Sequence, residues 1–454
     1  MSTLSMAEVP ELEVPQHLLN RHTFLFGAAT SAYQIEGRPE GREPCIWDAF
    51  CTQPGAIRDG SNGKDACQAL AHWQEDFALI KQLGLDAYRF SISWPRVIDA
   101  NGQLKADGLA CYQQMLDDLQ QAGIASDVTL YHWDLPLAME QQGGWLNRDT
   151  AYRFADYAEK VSQALAGKVT RWCTLNEPWC SAHLGYETGV HAPGKKGRFQ
   201  GQRAAHHLLL AHGLAAQAIR AADPGSQVGI VLNVTPCYAI SEQRADMQAS
   251  DNADMLHNHW YLSPLLEGKY PDGELAEQIL THVPMQKGDM TTIAQPLDFL
   301  GLNYYHPTRV AAAHQADREY QPMPVAADCH INAMGWECDA KGLKDILLQL
   351  HQRYVLPPVM ITENGYADEL KAEQGRVRDK RRSWYLQQHL QALAEAISSG
   401  VDVRGYFAWS LLDNFEWTEG FSKRFGLIYV DYATQQRIIK DSGLAYQQML
   451  ARRR

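Results

Sequence analysis

The chain has 454 residues, 45% of them hydrophobic and 21% charged, a composition that suits a globular protein of one large domain or a few smaller ones. Its formal net charge of −12 is spread along the chain, so no basic footprint for nucleic acid stands out; only the terminal "ARRR" resembles one, and it reads as a solvated tail. No run of about 18 apolar residues is available to span a membrane, "MSTLSMAEVPELEVPQHLLNR" lacks the apolar stretch of a signal peptide, and nine cysteines without a CxxC pair argue for a reduced, cytoplasmic setting rather than a disulfide framework or zinc site.

Residues 1–22 read as an N-terminal extension and 23–454 as a single domain. The first β-rich run is "FLFGAAT" (24–30). "DAYRFSIS" (86–93) carries Arg89, and an amphipathic helix over 108–123 leads into "IASDVTLY" (124–131), which runs on to His132, Trp133 and Asp134. "TRWCTL" (170–175) delivers Asn176, Glu177 and Pro178, and "QVGIVLNV" (227–234) follows. "PLDFLGLN" (296–303) ends on Asn303, Tyr304 and Tyr305, after which the irregular segment 305–340 reads as a loop over one end of the fold. "PVMITE" (358–363) stops on Glu363 and Asn364, a helix covers 382–400, and "VRGYFAWS" (403–410) brings Trp409, with Glu416 and Trp417 just beyond. Alternating strands and helices predict parallel strands with right-handed crossovers. Eight such units fit a closed α/β architecture, the (β/α)8 TIM barrel with inserted loops at the C-terminal face of the strands. No GxGxxG or GxxxxGK[ST] turn follows the first strand, which argues against a doubly wound nucleotide-binding fold.

In such a barrel the C-terminal strand ends build the active site, and six of these ends are polar. Glu177 and Glu363 close the fourth and seventh strands, on opposite walls. Two carboxylates facing each other across a cleft are the apparatus of glycoside hydrolysis: about 5–5.5 Å apart, one is nucleophile and the other protonates the leaving group, whereas wider spacing admits water and inverts. The nucleophile must stay ionised and the acid must keep its proton. Arg89 and a tyrosine hydroxyl are placed to hold Glu363 charged; Glu177 has no cationic neighbour in sequence and is the candidate for a raised pKa. Twelve Trp and twenty Tyr offer flat platforms for sugar rings as well as core.

The segments "YRFSISWPR" (88–96), "LYHWDLP" (130–136), "TLNEP" (174–178), "ITENG" (361–365) and "WSLLDNFEW" (409–417) together resemble glycoside hydrolase family 1, the β-glucosidase family. "FLFGAATSAYQIEG" and "FGLIYVDY" (425–432) carry the likeness over almost the whole chain. The resemblance implies a retaining barrel enzyme without cofactor, with Glu177 as acid/base and Glu363 as nucleophile. It implies that Gln34, His132, Trp133, Asn176, Glu416 and Trp417 hold the non-reducing sugar, with Trp409 stacking beneath it and Asn176 on its 2-hydroxyl. Arg89 and Tyr305 would position Glu363, with Asn303 in the same shell, and Trp179, Leu184 and Trp336 would form the leaving-group subsite. The implied substrates are β-glucosides and cello-oligosaccharides, extending to β-galactosides and β-fucosides, for a monomer or homo-oligomer. Relatives acting on 6-phosphorylated sugars have Ser and Tyr at the positions of Glu416 and Phe425, beside a Lys matching Lys423.

Leu137, His259 and the pair Ile438–Ile439 depart from the family's usual residues, and Leu137 is the one placed to alter a rim contact. His206, His207 and His212 sit at helical spacing, but without carboxylates in register they read as structural rather than as metal ligands. Cys173 and Cys180 flank the acid motif and read as packing. The sequon at Asn233–Thr235 lies in a strand and is set aside. A sugar-binding relative with a dead site would have lost one glutamate, and a barrel aldolase or metal hydrolase would need a Schiff-base Lys or a His/Asp cluster at the strand ends.

Overall fold

In the computed structural model, which describes residues 9–38, 40–315 and 318–453, each β-rich run becomes one barrel strand. These are β1 (Leu25–Ala29), β2 (Ala87–Ser91), β3 (Ala125–Tyr131), β4 (Arg171–Asn176), β5 (Gln227–Asn233), β6 (Phe299–Asn303), β7 (Val359–Asn364) and β8 (Val403–Trp409). All pair in parallel with their chain neighbours, and β8 pairs back onto β1, with Leu25 opposite Gly405 and Ala29 opposite Trp409. The strands are covered on both faces, so they read as apolar runs rather than alternating ones.

Phe299, Met360 and Phe407 fill the barrel interior with Ala29, Ala87 and Val231. Glycines make room for the rings: a Cβ on Gly27 would lie 2.6 Å from the Phe407 ring, and one on Gly229 would lie 2.5 Å from the Phe299 carbonyl oxygen. Outside, amphipathic helices seal the strands. Helix Ala106–Gln121, close to the 108–123 read from the sequence, buries Leu109, Tyr112, Leu116 and Leu119, spaced to share one face. Helix Lys380–Ser398 matches the second prediction and buries Leu386, Leu390 and Leu393.

Two departures concern the chain ends and the long loop. The basic tail is not simply solvated: Arg452 Nη1 donates to Glu11 Oε1 at 2.6 Å, and Arg453 Nη1 lies 2.7 Å from Asp86 Oδ2. Residues 1–8 of the N-terminal extension and Arg454 lie outside the described residues, but Leu12, Leu18 and Leu19 are buried in the main core. Segment 305–340 is not all irregular. Its strand Thr308–Ala311 pairs with Cys237–Ala239 and with Gln321–Pro322 in a small sheet. Among the described residues, no helix is long and apolar enough to cross a membrane.

Candidate active site

Why should an acid follow the apolar run of β7? The pairing of β7 slips between Ile361 and Glu363 against β6, and between Ile361 and Asn364 against β8. A second slip lies between Cys173 and Asn176 on β4, immediately before Glu177. Such irregularities re-aim side chains. Glu177 also has φ +48°, and Trp133 and Trp417 have φ +76° and +49°, a left-handed conformation that costs a non-glycine residue energy and gathers at functional sites. Both carboxylates line a cavity of about 540 Å3 at the C-terminal ends of the strands.

The two acids are furnished differently. Arg89 Nη1 donates to Glu363 Oε1 at 2.6 Å, and Tyr305 Oη donates to Glu363 Oε2 at 2.6 Å. Glu177 has only neutral donors: Asn303 Nδ2 to Oε1 at 2.7 Å and Cys180 Sγ to Oε2 at 3.1 Å. Burial pushes Glu177 up to about 8, helped by the charge of Glu363. Burial raises Glu363 as well, opposed by the Arg89 charge and by the bonds from Tyr305 and Arg89. A guanidinium at 2.6 Å favours the charged form far more than an amide and a thiol do, so of the two, Glu363 ionises first and Glu177 keeps the proton.

His132, Trp133, Asn303, Tyr305, Trp409, Glu416 and Trp417 all line this cavity, as do Trp179, Leu184 and Trp336. Gln34, Arg89 and Asn176 are buried but are not part of its lining. Gln34 is engaged by Ser31, Asn414 and the Phe415 carbonyl. Asn176 Oδ1 accepts from Arg89 Nη2 and Asn303 Nδ2, and its Nδ2 lies 3.1 Å from His132 Nε2. Asn176 thus organises its neighbours, and Asn303 bonds Glu177 at 2.7 Å while also helping, with Arg89 and Tyr305, to favour the charged form of Glu363. The Trp133 indole N–H is spent on the Asn176 carbonyl, so only its ring is available to a sugar. Burial raises Glu416 to about 8, with Glu363 and Glu177 adding to the effect, and its Oε2 is buried without a protein partner.

Cys180 does more than pack, since its thiol meets Glu177. His206, His207 and His212 each bond a different group, namely Asp289 and Tyr270, the Trp145 carbonyl, and Thr174; among the described residues, no three His, Cys, Asp or Glu side chains gather as a metal site. Leu137 touches no active-site rim and lines a separate cavity near Trp94 and Pro136. His259 is a structural residue between Tyr354 and Asp254. Asn233, His183, His191, His257 and His306 also line the active-site cavity. Of these, only Asn233 carried a signal, as a polar residue near a strand end.

A sequence profile described as Glycosyl hydrolase family 1 matches residues 17–454. The chain belongs to glycosyl hydrolase family 1. This glycoside hydrolase is 43% identical to a β-glucosidase of Agrobacterium sp., covering 93% of each chain. It is 44% identical to a bifunctional β-D-glucosidase/β-D-fucosidase of Bifidobacterium breve, covering 94% of this chain and 97% of the relative. The crystal structure of a family 1 β-glucosidase from Exiguobacterium antarcticum superposes with a TM-score of 0.91 at 41% identity, covering 95% and 98% of the two chains. The family 1 barrel thus has both motif glutamates, Glu177 and Glu363, on one cavity.

Proposed function

We propose that this family 1 enzyme is a retaining β-glucosidase that removes terminal non-reducing glucosyl residues from β-glucosides and short cello-oligosaccharides, with reach toward β-galactosides and β-fucosides. The opposite furnishing of the two carboxylates carries the reading. Glu363, held by Arg89 and Tyr305, attacks the anomeric carbon as Glu177 gives its proton to the departing oxygen, and the glycosidic bond breaks. Glu363 is then an ester and no longer a charge, so Glu177 loses the neighbour that raised it and is ready to act as base. Water attacks the anomeric carbon as Glu177 takes its proton, the bond to Glu363 breaks and restores the carboxylate, and the sugar leaves with its original configuration. Glu416 and His132 line the cavity that takes the sugar, and Trp409 offers it a ring face. Trp179, Leu184 and Trp336 lie on the leaving-group side.

The names of the relatives support the glucosyl and fucosyl parts of this reading. Proton NMR of the sugar first released from a nitrophenyl β-glucoside tests it. The β anomer should accumulate before mutarotation; the α anomer as first product would rule out the double displacement.

A further inference from the structure

Glu177 can carry its acid proton on either oxygen, and its neighbours choose between them. We propose that Arg89, acting through Asn176 and Asn303, fixes the acid proton of Glu177 on Oε2, and that Cys180 is the positioning residue for that oxygen. This rests on the reading of Glu177 as acid/base and goes beyond it.

A guanidinium has no acceptor, so the Asn176 atom 2.7 Å from Arg89 Nη2 is its carbonyl oxygen. Asn303 meets that same oxygen at 3.1 Å, so the Asn303 atom there is its amide nitrogen, and its carbonyl end takes the Thr362 hydroxyl at 2.7 Å. The same nitrogen lies 2.7 Å from Glu177 Oε1. An amide nitrogen only donates, and the carbonyl oxygen of a carboxylic acid is its better acceptor. Oε1 is thereby held as the carbonyl and the hydroxyl is left to Oε2. Each amide orientation follows from the one before it, and the chain starts at the guanidinium that also holds Glu363.

Cys180 follows Glu177 by three residues, on the first turn of the widened helix Cys180–Glu187, and its Sγ is 3.1 Å from Oε2. A thiol is a weak donor. It orients Oε2 while stabilising the ionised form less than a hydroxyl would, so the acid is not disarmed. Burial and the nearby carboxylate push the Cys180 thiol well above the ordinary range, so it keeps its own proton throughout. Oε2 gives its proton to the leaving oxygen in the first step and takes one from water in the second.

Neutron diffraction from crystals of the deuterated full chain, grown below the pH of about 8 to which burial raises Glu177, reads the proton directly. Deuterium on Glu177 Oε2 is expected. Deuterium on Oε1 would overturn the proposal while leaving Glu177 as the acid, whereas deuterium on Glu363 alone would overturn the role assignment beneath it. The Cys180 part has its own readout, the basic limb of kcat/KM in two variants. Cys180→Ser, a stronger donor, should move the limb down and Cys180→Ala should move it up, each by about half a pH unit or more. Limbs that coincide in both variants and the parent would remove Cys180 from the positioning role; a merely structural effect would lower rates without this ordering.

Discussion

Arg89 Nη1 and Glu363 Oε1 stand 2.6 Å apart with both side chains almost entirely out of water. The same guanidinium reaches Asn176 with its other terminal nitrogen. Lysine keeps the charge but cannot make this planar pair of contacts. Arg89→Lys should fold and lose about 10²–10³ in kcat, with KM much less affected. Arg89→Gln strands a buried carboxylate and should also cost about 3–5 kcal/mol of stability in denaturant titrations. A kcat for Arg89→Lys close to the parent's would show that the pair does not serve the chemistry.

The pH profile of kcat/KM should be bell-shaped. Its basic limb should fall near 8, where Glu177 loses its proton, and its acidic limb above the ordinary carboxylate range, because Glu363 is raised by burial. Glu416 also titrates near 8. Glu177→Gln, assayed on an activated leaving group, separates the two: the basic limb should disappear, and its survival would reassign it to Glu416.

The same shift makes a stability prediction. Glu177 has a folded-state pKa of about 8 against an ordinary 4.5, so between these values the native chain binds more protons than the unfolded one. Stability therefore falls as pH rises through that window, by up to roughly 1.4 kcal/mol per pH unit for one group. Glu177→Gln has no such proton. Its melting temperature should gain on the parent's from pH 5 to pH 8, and a variant-minus-parent difference that stays constant or falls would contradict the burial argument.

A 6-phosphate on the glycone should be refused. Arg309 is the only Lys or Arg among the described residues lining the cavity, and it is paired with Glu337. Lys423 is buried against Glu369 rather than placed in the lining, and Phe425 supplies no hydroxyl. A phosphate of about −2 charge would enter a cavity lined by the ionised Glu363, and one such repulsion at 4 Å and an effective dielectric of 20 costs on the order of 4 kcal/mol. The kcat/KM of nitrophenyl β-glucoside should exceed that of its 6-phosphate by well over tenfold. Comparable values would overturn the choice of unphosphorylated substrates.

In the proposed leaving-group subsite, the Trp336 ring lies 5.4 Å from Tyr305 and 5.0 Å from His306, centroid to centroid. Trp336→Ala should cut kcat/KM for cellobiose about five- to tenfold, and much less for β-glucosyl fluoride, whose leaving group has no ring to stack. Equal losses on both substrates would place Trp336 in the support of the catalytic pair instead.

All eight barrel strands were legible because strands buried on both faces leave runs rich in apolar, β-branched and aromatic residues, and Arg89, Glu177 and Glu363 stood out as charges within or at the end of such runs. The bonds of Cys180 and Asn303 to Glu177 were not legible. A cysteine is counted with the apolar residues, and its bond to Glu177 depends on how the helix after β4 starts. The partner of Asn303 is fixed by the register of β6 against β7 and by the slip before Glu363. Nor could sequence order reveal that Arg452 would find Glu11, a contact that needs the barrel closed before the two chain ends meet.

The central claim is that Glu363 forms the bond to sugar and Glu177 moves the proton. The most direct measurement is the product formed when azide is added to Glu363→Gly and to Glu177→Ala with an activated β-glucoside. With the nucleophile removed, azide should restore turnover and yield the α-glucosyl azide, by a single displacement. With the acid/base removed, azide should attack the glycosyl-enzyme and yield the β-azide. A β-azide from Glu363→Gly and an α-azide from Glu177→Ala would contradict the account and exchange the roles of the two glutamates.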